Sequence, residues 1–143
     1  MAGYSGTPLS RKLGIGPGHA VALLGAPDGL NDALGELPEG VTVRTQARGR
    51  ADVVVAFHTE RGELQRRVPA LLRLLDVDGG LWVAWPKKAS RVPTDISEDT
   101  VREVFCPRGL VDNKVCAIDE VWSALRMVWR RERRPELRAR QGG

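Results

Sequence analysis

LLRLLDVDGGLWVAWP, residues 71–86, is the stretch on which the fold turns. Its first part has the leucine spacing of a helix end. Its last part, LWVAWP, is apolar at successive positions. An apolar run of strand length with no polar alternation belongs to a strand covered on both faces. Between them stands VDGG, which reads as the turn that closes a helix and opens a buried strand.

The same grammar extends to both sides. ADVVVAFHT, 51–59, is a second continuous apolar run and reads as a central strand. ERGELQRRVPALLRLLD, 60–76, carries Leu64, Val68, Leu71, Leu72 and Leu75 at helical spacing. Pro69 falls inside and is expected to kink or split that helix. Upstream, HAVALLG (19–25) is the first strand, followed by the turn APDG and a short helix near 29–37. VTVRT (41–45) alternates as a partly exposed strand does. Downstream, Thr94, Asp95 or Ser97 can cap a helix running to about Phe105, with Glu98 completing a capping box on Asp95. CPRGL is a loop. VDNKVCAID (111–119) and VWSALRMVWRR (121–131) are strands with only Asp119 and Glu120 between them. That link is too short for a crossover, so they form an antiparallel hairpin. The expected fold is α/β: a three-layer, Rossmann-like, mainly parallel sheet of about six strands with a C-terminal antiparallel hairpin. Crossovers between parallel strands are expected to be right-handed. The expected organisation is a glycine- and proline-rich lead-in (1–18) around the turn TPLSRKLGI, one α/β domain (19–131), and a basic flexible tail (132–143).

Charge is unevenly placed. The net charge is +4 over 143 residues. RRERRPELRARQGG, 130–143, holds six arginines against Glu132 and Glu136, which is the whole excess. The body is therefore neutral in the net. Arginine outnumbers lysine eighteen to four, yet two of the lysines, Lys87 and Lys88, stand side by side after the LWVAWP strand. No apolar run is long enough to span a membrane or to act behind a basic start as a signal peptide, so the expected location is the cytoplasm. Cys106 and Cys116 lack CxxC spacing and a histidine cluster; reduced thiols are expected, with no metal site.

In a sheet of this kind ligands bind beyond the carboxyl ends of the parallel strands. Three such ends are Gly25-Ala26-Pro27, His58-Thr59 and Trp85-Pro86-Lys87-Lys88. Gly25, Pro27, His58, Trp85, Lys87 and Lys88 are thus the expected ligand-binding residues, suited to an anionic or phosphorylated small molecule. The plainer reading has Lys87 and Lys88 neutralise Asp95, Glu98 and Asp99. His58 as a general base needs an orienting partner, and Glu60 is near in sequence. No nucleophile motif or carboxylate pair is present, so no catalytic residue is assigned and no cofactor is expected. Trp82 and Trp122 suit the core, while Trp85 and Trp129 suit either the core or a pocket or partner surface. Arg130, Arg131, Arg133 and Arg134 are the candidate nucleic-acid contacts. With no aromatic residue after Trp129 to stack on bases, a solvated terminus is the favoured reading and nucleic acid is not the expected partner. The exposed edge strand 41–45 would permit a protein partner or a homodimer.

From residue 51 onward the order resembles the C-terminal half of class I AdoMet-dependent methyltransferases, in which a "GG" turn leads into a strand, a helix and an antiparallel pair. HAVALLGAPDG stands where such enzymes keep their first strand and glycine loop. The resemblance has three departures. The loop is Gly25-Ala26-Pro27-Asp28-Gly29 rather than GxGxG. The second strand ends in VRTQARGR, with no acid for ribose hydroxyls. Only residues 46–51 join VTVRT to DVVVAF, where the family has a further strand–helix unit. GYSGTPLSRKLGI (3–15), VALLGAPDG (21–29), GGLWVAWPKKAS (79–90) and DEVWSALR (119–126) also resemble a family of small actinobacterial proteins classed as a domain of unknown function. Together these imply a non-catalytic cytoplasmic domain that binds a small ligand or a regulatory protein partner. The alternatives are an AdoMet-dependent methyltransferase-like enzyme, or a nucleic-acid-binding regulator acting through the arginine tail.

Overall fold

The computed structural model describes residues 7–142. Six strands form one sheet: β1 (Ala20–Leu24), β2 (Thr42–Arg44), β3 (Ala51–Phe57), β4 (Leu75–Pro86), β5 (Leu110–Ala117) and β6 (Trp122–Trp129). Their order is β2-β1-β3-β4-β6-β5. The first four run parallel, and β6 runs antiparallel to both β4 and β5. The expected hairpin is therefore present, with β6 between β4 and β5 and β5 at the edge.

Five helices complete the layers: α1 (Leu9–Lys12), α2 (Leu30–Leu34), α3 (Arg61–Leu74), α4 (Glu98–Phe105) and α5 (Arg134–Gly142). Leu64, Val68, Leu71 and Leu74 of α3, Val101, Val104 and Phe105 of α4, and Leu137 of α5 bury against one face of the sheet. Leu9, Leu13, Ile15, Leu30 and Leu34 cover the other. The architecture is the three-layer α/β sandwich expected. No helix among the described residues is long and apolar enough to cross a membrane.

Several boundaries differ from the expectation. α3 runs unbroken through Pro69, since its four buried positions on the sheet outweigh the roughly 3 kcal/mol cost of an interior proline. β4 begins at Leu75, directly after α3, so VDGG belongs to the strand and is not a turn. A register shift between Ala51 and Val53 absorbs those residues. Gly79 is required there by neighbouring backbone, and Gly80 makes room for a side chain. A Cβ on Gly79 would lie 2.6 Å from the Asp52 carbonyl oxygen, and one on Gly80 would overlap the Arg126 guanidinium. α2 is shorter than the expected 29–37, and Gly35 at its end has φ 76°. α4 is capped by Ser97 with Thr100 in a reciprocal capping box, not by Asp95 with Glu98.

The two ends are also corrected. Residues 1–6 of the expected lead-in lie outside the described residues. Its remainder is built into the core: Leu13 is buried, and its carbonyl accepts the Trp82 indole N–H at 3.0 Å. The tail, expected to be flexible, forms a 3₁₀ turn (Arg131–Arg133) and then α5. A single apolar anchor, Leu137, and a bonded Gln141 seat it: the Gln141 side chain accepts from the Val77 N–H at 3.2 Å.

Candidate functional site

The carboxyl ends of β1, β2 and β3 meet at one end of the sheet. The glycine loop after β1 is conformationally specified. Gly25 has φ 69°, and a Cβ there would stand 3.2 Å from the Phe57 carbonyl oxygen. Both facts require glycine: φ is positive, and the β3 backbone approaches closely. Pro27 accepts the Leu30 N–H at 3.3 Å, and Gly29, with φ 86°, turns the chain into α2. The loop bounds an open crevice of about 400 Å³. Its walls are Leu23, Ala26, Pro27 and Leu30, with Asp28, Asn31, Asp32 and Thr45 as the polar groups. The two carboxylates were missed in the sequence, although APDGLND places them four apart at the start of α2.

His58 follows β3. Its backbone N–H donates to Ala84 O at 3.1 Å, so it still rides on the sheet. The ring is buried, and Nδ1 lies 2.7 Å from Glu63 Oε1. A carboxylate can only accept here, so Nδ1 carries the proton. Nε2 is buried and has no hydrogen-bond partner among the described residues. The orienting carboxylate is thus Glu63, one turn into α3, and not Glu60, which is the residue before the helix. The bond from His58 holds the Glu63 carboxyl below the usual carboxylate range, opposed by partial burial and aided by His58, Arg66 and Arg67 charge.

The other expected residues scatter. Trp85 is 8% exposed and packs with Ile96, Val101 and Phe105, so it serves the core and not a pocket. Trp129 is also core, under α5. Lys87 is anchored by its backbone N–H to Val121 O at 2.7 Å, and Lys88 opens a 3₁₀ turn. Neither His58, Trp85, Lys87 nor Lys88 lines the crevice beside Pro27. The plainer account of the lysines is corrected too. Asp95 accepts the Arg61 N–H at 2.6 Å, and Glu98 and Asp99 both pair with Arg102. Those acids leave Lys87 and Lys88 without an ion pair among the described residues. In the tail, Arg133 donates to Arg108 O at 3.0 Å and lies 5.6 Å from the Trp129 ring centroid. Arg134 Nε donates to Trp129 O at 3.1 Å. These two arginines fasten the tail to the body.

The strand order decides the comparison. The chain has the methyltransferase-type Rossmann fold. It is similar to a SAM-dependent methyltransferase from Aquifex aeolicus, at TM-score 0.59 and 14% identity over 84% of this chain and 87% of that one. It is similar to the ribosomal protein L11 methylase of Lactobacillus delbrueckii subsp. bulgaricus, at TM-score 0.57 and 12% identity over 85% and 75%. The fibrillarin pre-rRNA processing protein of Methanococcus jannaschii matches at TM-score 0.57 and 12% identity over 86% and 69%. At these identities the likeness is one of fold. No family model and no curated protein matches the chain.

Proposed function

We propose that this chain is an AdoMet-dependent methyltransferase-type domain whose cofactor crevice lies between the Gly25–Gly29 loop and Thr45. The observation that carries the reading is the strand order with β6 reversed, together with a glycine loop that closes on a crevice at the carboxyl end of β1. The residues suit a nucleoside. Leu23, Ala26 and Leu30 supply apolar wall. Asp28 and Asp32 would accept ribose hydroxyls, replacing the acid that β2 lacks. When bound, AdoMet supplies an activated methyl group. The His58–Glu63 pair is buried and stands outside this crevice, so no proton transfer is assigned to it.

A second reading, a non-catalytic small-ligand module, is favoured by Pro27, which removes a backbone N–H from the loop. Calorimetry with AdoMet and S-adenosylhomocysteine separates the two. Saturable micromolar heat that Asp28→Asn/Asp32→Asn weakens at least tenfold supports the cofactor crevice. Absence of heat at millimolar AdoMet rejects it and leaves the module.

A further inference from the structure

Six residues, 45–50, stand where the family has a strand–helix unit, and they cross from the end of β2 to the start of β3. Two clefts lie along this strap, of about 620 and 630 Å³, and they meet at Gly49. The first is lined by Arg44, Thr45, Gln46 and Arg48; the second by Arg50, Arg73, Leu137 and Arg140. The strap is held in shape by Arg44, whose guanidinium donates to the carbonyls of Arg48 and Arg50. Among the described residues no carboxylate lines either cleft. Among the described residues Arg48, Arg50 and Arg73 have no ion pair, whereas Arg140 shares Glu136 at 2.9 Å. Four elements thus bring guanidinium groups to one path, and of these Arg48, Arg50 and Arg73 have no carboxylate partner among the described residues. Thr45 lines both the first cleft and the crevice beside Pro27, so the path runs to the crevice mouth.

We propose that this path binds the phosphate backbone of a single-stranded nucleic acid. Guanidinium forks match phosphate oxygens in geometry as well as charge. An extended pair of clefts suits a chain of phosphates better than one anion. The residues lining both clefts offer guanidinium groups to phosphates and no aromatic face to bases, so the contacts are to the backbone and carry no sequence information. The site takes only Arg140 from the tail; Arg133 and Arg134 are spent on Arg108 and Trp129. It does not depend on methyl transfer: the strap would hold a strand whether or not the crevice holds AdoMet.

The test is fluorescence anisotropy of a labelled single-stranded RNA oligonucleotide with the full chain over a range of salt. The cleft variant is Arg50→Gln/Arg73→Gln/Arg140→Gln. A charge-matched control is Arg108→Gln/Arg130→Gln/Arg131→Gln. All six side chains are exposed, and thermal melts confirm that both variants fold. The expected result is at least a tenfold loss of affinity at low salt in the cleft variant alone. Its plot of log affinity against log salt should flatten by about 2, from roughly 0.7 per lost phosphate contact. Arg→Lys at the same three positions should keep most of that slope. Three results would overturn the proposal: no binding by the unaltered protein at low salt, equal losses in both variants, or inorganic triphosphate binding as tightly as the oligonucleotide.

Discussion

Replacing Gly79 with alanine tests the packing at the centre of the sheet. The new Cβ would lie 2.6 Å from the Asp52 carbonyl oxygen and 3.2 Å from that of Ala51. Both atoms are backbone, so no rotamer change can relieve the clash. β3 and β4 must part by some tenths of an ångström along the pair that carries most of the core. Overpacking of this severity costs about 3 kcal/mol, at the top of its usual range. Lower entropy of the unfolded chain returns about 0.7 kcal/mol. The net loss is therefore about 2 kcal/mol, or roughly 8 °C in melting temperature for a domain of this size. Urea and thermal unfolding followed by tryptophan fluorescence would measure it. Two companions calibrate the result. In Gly80→Ala the obstacle is the end of the Arg126 side chain rather than backbone, so the loss should be nearer 1 kcal/mol. In Gly62→Ala, within the first turn of α3, the nearest atom is at an ordinary 3.5 Å, and stability should rise by about 0.5 kcal/mol. If Gly79→Ala unfolds within 0.5 kcal/mol of the parent, on the order of experimental error, the account of the two glycines is wrong.

Two further outcomes follow from contacts described above. Trp82→Phe removes the indole N–H that Leu13 O accepts in a buried setting and leaves a small void; stability to urea should fall by about 2–3 kcal/mol. A loss confined to a few tenths would mean that the segment around α1 adds little to the core. Glu63→Gln should be less stable than the parent at neutral pH. Because the folded carboxyl is held below its ordinary value, that stability gap is fully present above about pH 4.3 and closes as pH falls further. A gap that stays constant from pH 7 to about pH 3, below the unpaired glutamate's titration, contradicts the His58–Glu63 assignment.

The sheet was legible because its strands are written as unbroken apolar runs, and the two-residue link at Asp119-Glu120 admits only a hairpin. The placement of β6 between β4 and β5 was not, since strand neighbours depend on contacts distant in sequence. The tail misled because α5 has one apolar anchor, Leu137, and no periodic stripe; its order comes from Trp129, Arg108 and β4, which lie far away in the chain. Of the expected ligand-binding residues only Pro27 lines the candidate crevice, and His58 has a carboxylate partner elsewhere. Glu60 was the nearer acid in sequence. It precedes the helix, however, and the first turn of α3 brings Glu63 round to the imidazole instead. Trp85 sits at a strand end but is buried in the core that α3 and α4 share with the sheet. Burial by distant elements cannot be read from the strand alone. Asp28 and Asp32 escaped notice because the resemblance directs attention to the end of β2.

The pairing of β6 with β4 sets Arg126 opposite Trp82, with its guanidinium over Gly80. β6 is apolar at most positions and could in principle slide along its neighbour with little change in greasy contact. Arg126 prevents this. A slip of two residues keeps every side chain on its face but moves the guanidinium off Gly80. A long charged group among hydrophobic ones, and a missing Cβ across from it, act as a key and its slot. The strand inserted last between two others is thereby made to stop in one alignment.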